Sequence, residues 1–112
     1  MCAGAVQLSP PALDEVESSE LRVSPVVLLE IALLQERGRL HMPPDGWLSI
    51  LRQDFGASVC PLPFHRVVEA ACDETWTRDP FDRLIVAQAK AGGGKLITKD
   101  RRILANFPGA IW

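Results

Sequence analysis

The sequence predicts an α/β domain built on a short parallel sheet, and three observations carry that prediction. Short apolar stretches of strand length alternate with longer stretches of helix length along the chain. Ser24 and Asp100 stand just after two of the short stretches, as capping residues stand where a helix follows a strand. The 112 residues, 47% of them apolar, suffice for one core and are too few for two, so residues 1–112 form a single domain. Crossovers between parallel strands are right-handed, and ligands gather at the C-terminal edge of such sheets.

The elements follow in order. Ser9 caps a first helix over 9–18, opened by Pro10 and Pro11, with Leu13 and Val16 on one side. Glu20 to Ser24 reads as a short strand. Ser24 then caps a second helix with Pro25 in its first turn, and the apolar run Val26 to Leu34 predicts a helix buried nearly all round. Gly38 stops it. His41 to Pro44 is loop, and Asp45 is expected to cap a third helix that turns Trp47, Leu48, Ile50 and Leu51 inward and ends near Gly56. Ser58 to Cys60 reads as a strand, and Pro61 and Pro63 lead into a helix over 64–73. A loop over 74–78 precedes a helix over 80–91, which the glycine run 92–94 ends. Lys95 to Thr98 is a strand, Asp100 opens a short helix that stops before Pro108, and Ala110 to Trp112 closes the chain as a strand.

Composition excludes several classes. The net charge of −2 does not suit a protein that grips nucleic acid over a wide face. The second half is nevertheless basic, and Arg78, Arg83, Lys95, Lys99, Arg101 and Arg102 crowd near its acids, which allows a small phosphate-binding rim. Cys2, Cys60 and Cys72 are odd in number and form no CxxC, so neither a disulfide framework nor a zinc cage is expected. Cys60 and Cys72, in apolar surroundings, read as buried thiols, which suits a reducing cytoplasm. Met1 to Gln7 has no basic segment of a signal peptide, and no apolar run is long enough to span a bilayer.

Four carboxylates stand out. Glu30 interrupts VVLLEIALL, where a lone acid is costly unless it is paired, protonated or bound to a cation. Asp79 and Asp82 lie in RDPFDR, and Asp100 follows the strand KLIT. Each has a plain structural explanation. Glu30 can lie on the one wet stripe of its helix, Asp79 and Asp100 are good caps, and an acid at the position of Asp82 suits the helix dipole. Caps do not explain the joint spacing. If the helices holding Glu30, Asp82 and Asp100 all begin on the C-terminal edge of the sheet, the three carboxylates converge. Two carboxylates 4 Å apart repel by about 1 kcal/mol in water and about 4 kcal/mol at an effective dielectric of 20. Such a group requires a proton or a cation, and an all-oxygen set favours Mg²⁺ or Mn²⁺ over zinc. No nucleophilic Ser or Cys has an evident base, and His41 and His65 read as ordinary surface or core residues.

The blocks VSPVVLLEIALLQERGRL and WTRDPFDRLIVAQAKAGGGKLITKD, in that order and spacing, resemble VapC-type toxins of the PIN-domain ribonuclease superfamily. The resemblance runs from about Leu8 to Trp112. It implies a PIN-like three-layer α/β/α domain and a Mg²⁺- or Mn²⁺-dependent endoribonuclease. Such a protein is the toxin of a type II toxin–antitoxin system, silenced by a cognate antitoxin and often homodimeric. By the same resemblance Glu30, Asp82 and Asp100 are the metal ligands and, with Asp79, the catalytic set. Arg78, Arg83, Lys99 and Arg101 are candidates to contact RNA phosphates.

The chain departs from that pattern in two places. Thr77 stands where many relatives have His before RDPFDR. More seriously, the first strand of the family, which ends in an aspartate, has no counterpart: Met1 to Gln7 contain no acid, and Asp14 and Glu15 belong to a later helix. A truncated or misassigned start is the expectation, with residues 2–8 as a poor substitute strand. The family's central strand is then missing or replaced, leaving two neighbouring sheet edges unpaired. Two other readings stand beside this one: a catalytically impaired interaction module for an antitoxin or dimer partner, which the missing aspartate supports, and some other α/β protein whose acids are only helix caps and a surface Glu.

Overall fold

The structure is a computed structural model that describes residues 8–112. Six helices and four two-residue strands succeed one another as α1 (Pro10–Ser18), β1 (Arg22–Val23), α2 (Pro25–Glu36), α3 (Pro44–Phe55), β2 (Ser58–Val59), α4 (Phe64–Ala71), α5 (Pro80–Ala91), β3 (Leu96–Ile97), α6 (Arg101–Asn106) and β4 (Ala110–Ile111). This is the α/β order expected, with every strand shorter than its sequence suggested.

The strands make two separate parallel pairs. β1 pairs with β2 in the register Arg22 to Ser58, and β3 with β4 in the register Leu96 to Ala110. Among the described residues no hydrogen bond joins one pair to the other. The strand expected from residues 2–8 lies almost wholly outside the described residues. Leu8 itself is in neither helix nor strand and packs beside Ala12, Val16, Ile97 and Trp112.

Helices cover both faces. On one side Ala12 and Val16 of α1 pack against Ile97. On the other, Val27 and Ile31 of α2, Leu51 of α3, Ile85 and Val86 of α5 and Ile103 of α6 close a larger core around Val23 and Leu96. The layers are therefore helix, sheet, helix.

Local chemistry explains the boundaries. Ser9 accepts the N–H of Ala12 at 3.2 Å, and Pro10 and Pro11 supply the preset φ of a first turn. α3 ends at Gly56, whose φ of +65° is the left-handed conformation that side chains disfavour, and its N–H closes on the Arg52 carbonyl.

Several expectations are corrected. The cap of α3 is Pro43 rather than Asp45, and Asp45 sits in the first turn with Oδ1 accepting from the Gly46 N–H at 3.1 Å. Pro44 takes the first helical position, and the residue before a proline is held extended, so Pro43 becomes the cap and Asp45 falls two residues later in the first turn. Ile50 is exposed and only Leu51 of α3 is buried, with Trp47 and Leu48 half-buried. α2 is less enclosed than its composition implied, since Leu29 is 56% exposed on the side that no described helix covers. Leu13 points outward, and Ala12 takes its place in the core. Cys60 is buried as expected, whereas Cys72, at the exposed end of α4, is not.

Candidate active-site groove

Two of the acids are placed by the same device. Thr77 is buried, and its Oγ1 accepts the N–H of Asp79 at 3.2 Å. Asp79 Oδ1 in turn accepts the N–H groups of Phe81 at 2.8 Å and Asp82 at 3.4 Å, starting α5. At the end of β3, buried Thr98 accepts the N–H of Asp100 at 3.0 Å, and Asp100 Oδ1 accepts from Arg102 and Ile103 at 2.9 and 3.1 Å, starting α6. In each Thr-x-Asp step one oxygen of the aspartate is spent on capping, and the other is left for solvent or a ligand.

The loop before α5 is tied down from both ends. Arg83 Nε donates to the Thr77 carbonyl at 2.7 Å. Glu74, nearly buried, accepts from Trp76 Nε1 at 2.7 Å and meets Lys90 Nζ at 2.6 Å. Burial pushes the Glu74 carboxyl upward, but the hydrogen bonds from Lys90 and Trp76 and the charge of Lys90 outweigh it and hold the group below the usual carboxylate range. Ser24 caps α2 through the Val26 N–H and donates its own hydroxyl to Gln88 Oε1 at 2.6 Å, which links α2 to α5.

These elements bring Glu30, Asp79, Asp82 and Asp100 onto one open groove of about 760 Å³, together with Arg37, Thr98 and Lys99. The acids feel one another. Asp82 is pushed up to about 6 by burial first, then by the charges of Asp79, Asp100 and Glu30, with Arg102 pulling the other way. Glu30, half-buried on α2, is raised by burial first and then by Asp79 and Asp100. Mutual repulsion of this kind marks a groove that accepts positive charge.

The ligand chemistry is that of a hard cation, and the spacing is open. All four acids offer oxygen, as Mg²⁺ and Mn²⁺ require. Among the described residues, no three His, Cys, Asp or Glu side chains stand close enough to hold one ion. The four acids thus line one groove, and their side chains as they stand do not close on a single ion.

The basic residues divide. Lys99 lines the groove with its ammonium 5.0 Å from the ring of Trp112. Arg83 is engaged with the loop backbone, while Arg78 and Arg101 are exposed and outside the groove lining. Arg37, on the groove wall, was missed by the sequence reading because it lies two turns beyond Glu30 at the end of α2. The Ser24–Gln88 bond was missed as well, since the two are 64 residues apart and carry no motif in common. His41 and His65 are exposed and lie outside the groove. No described helix is long and apolar enough to cross a membrane.

The fold and the groove define a PIN domain, and the family model of that name matches residues 8–109, so the chain belongs to the PIN-domain family. Within it the chain is of the VapC type: it is 34% identical to Ribonuclease VapC22 of Mycobacterium tuberculosis (strain ATCC 25618 / H37Rv), across 95% of this chain and 85% of that protein. No solved structure gives a significant match.

Proposed function

We propose that this protein is a metal-dependent endoribonuclease, the toxin of a type II toxin–antitoxin pair, acting in the cytoplasm. The observation that carries the proposal is the meeting of Glu30, Asp79, Asp82 and Asp100 on one groove, with Asp82 raised to about 6 by burial and by its neighbours. The name of the relative VapC22 supports the reaction class.

Glu30, Asp82 and Asp100 are the residues that would hold Mg²⁺ or Mn²⁺, with Asp79 beside them. The bound ion supplies an activated water and neutralises charge developing on the phosphodiester. The protein orients the acids. Thr77 and Thr98 fix the backbone of Asp79 and Asp100, and Arg83 and Glu74 hold the loop that leads into α5. Without a cation the Asp82 carboxyl holds a proton until pH approaches 6. Lys99, which lines the groove, would meet RNA phosphates, with Arg78 and Arg101 as exposed candidates outside that lining, and Arg83 would act on the groove through the loop it anchors. A cognate antitoxin and a second copy of the chain are the proposed protein partners.

The test is cleavage of a mixed RNA substrate with Mn²⁺ by the wild type, Glu30→Gln and Asp82→Asn. Loss in both variants is expected; equal cleavage by all three would reject the assignment. The open spacing of the acids favours a second reading, a catalytically impaired module that retains its antitoxin and dimer surfaces. Calorimetric titration separates the two, because the impaired module binds antitoxin but takes up no Mn²⁺ at millimolar concentration.

A further inference from the structure

α2 lends the acidic groove one narrow stripe of its surface. Glu30, Leu33, Leu34 and Arg37 all line that groove. Their offsets of three, four and seven residues are those of a single helix face. The stripe therefore has a polarity: a carboxylate at one end, two half-buried leucines in the middle and a guanidinium at the other. Seven residues carry Arg37 about 10 Å along the helix axis from Glu30.

The end of the helix fixes where that guanidinium starts. The Arg37 N–H closes on the Leu33 carbonyl at 3.1 Å, and Gly38 follows with a φ of +73°. The residue is exposed and, among the described residues, takes part in no ion pair. Nor is its charge among those that displace Glu30 and Asp82. The dipole of α2 favours a cation at this end whichever way the side chain points. It does not account for one that falls on the stripe facing the groove. A cation that lines a groove of four carboxylates and pairs with none of them is available to an anion.

We propose that Arg37 is a substrate-binding residue: it holds a backbone phosphate of the bound RNA strand at a distance from the bond being cut, while the acids meet the scissile phosphate. The inference rests on the nuclease reading of the groove. The separation along α2 corresponds to about three steps of a base-stacked strand. Leu33 and Leu34 lie between and offer the bases an apolar surface. A guanidinium suits the task, since its forked N–H groups match phosphate oxygens in pairs. Such a contact fixes the register of the strand over the acids without reading its sequence.

The test is fluorescence anisotropy on the full chain with labelled oligouridylates of eight and of two nucleotides, in EDTA so that no ion-dependent cleavage intervenes. With the longer probe, Arg37→Gln is expected to weaken binding about tenfold. It should also lower the slope of log affinity against log salt concentration by about 0.7, the share of one phosphate contact on a single strand. Arg37→Lys keeps the charge and should restore that slope. Arg39→Gln removes the same charge two residues on, outside the groove lining, and should leave the slope unchanged. The dinucleotide is too short to reach both sites, so wild type and Arg37→Gln should bind it alike. Three results overturn the inference: wild-type affinity and slope in Arg37→Gln, an equal loss in Arg39→Gln, which would mean a general field and no contact, or no binding of the longer probe by the wild type at low salt. Cleavage is not read here, so the nuclease assignment stands or falls separately on the Glu30→Gln and Asp82→Asn assay.

Discussion

Two groups of carboxylates sit at opposite ends of α5, and they are displaced in opposite directions. At the C-terminal end Glu74 is almost fully enclosed, bonded to Lys90 and Trp76, and held below the usual range. At the N-terminal end Asp82 is more open to solvent, has three acids for neighbours, and is pushed up to about 6. Burial raises both. What differs is the partner: a cation and an indole N–H in one case, like charges in the other. Glu74 thus contributes to holding the fold together, whereas the Asp82 group stores repulsion that a cation would relieve.

The largest expected effect tests that division through activity. In the proposed ribonuclease, Asp82→Asn should lower RNA cleavage with Mn²⁺ by about 100-fold or more. Glu74→Gln should lower it far less, because Glu74 does not line the groove. A comparable loss in both would break the comparison.

Stability should follow the reverse order. Glu74→Ala removes a buried acceptor, strands Trp76 Nε1 and frees Lys90. Lys90 is 44% exposed and rehydrates readily, which limits the cost to about 2 kcal/mol. A domain of this size should then melt roughly 8–16 °C lower. Asp82→Asn should leave the melting temperature unchanged or raise it.

The pH dependence is smaller and its sign is opposite at the two ends. The folded state binds the Asp82 proton more tightly than the unfolded chain does, so this group makes stability fall as pH rises from about 4 to about 6. The full displacement corresponds to about 3 kcal/mol, and solvent screening of a partly exposed group reduces it to about 1 kcal/mol. Glu74 contributes stability that is present above the ordinary carboxylate value and lost as pH falls below it. Melting temperatures between pH 3 and 7 for wild type, Asp82→Asn and Glu74→Gln should separate the two slopes. The smallest effect expected is Mn²⁺ raising the wild-type melting temperature at pH 7 by a few degrees and leaving Asp82→Asn unmoved.

Much of this was legible beforehand, for local reasons. Ser9, Ser24, Asp79 and Asp100 cap the helices that their spacing predicted, because a side-chain oxygen that satisfies the first free N–H groups acts within three residues. The α/β order was legible too. The cap of α3 was misread because the sequence shows Asp45 and two prolines without showing which one takes the extended position. Ile50 and Leu29 were misread because apolar character does not say which side of a helix a neighbour will cover. For the groove, RDPFDR and the lone acid of α2 marked the candidates, while Arg37 and the Ser24–Gln88 bond carried no sequence signal at all.

By itself the sequence determined what short-range chemistry can determine: where helices start, which residues are acids, and that one acid stands in an apolar helix. Only the tertiary structure decided that four acids share a groove without closing on one ion, and that Ser24 of α2 reaches Gln88 of α5. Capping depends on neighbours along the chain, but repulsion between Glu30 and Asp100, or a hydrogen bond between Ser24 and Gln88, exists only once residues more than sixty positions apart are packed side by side.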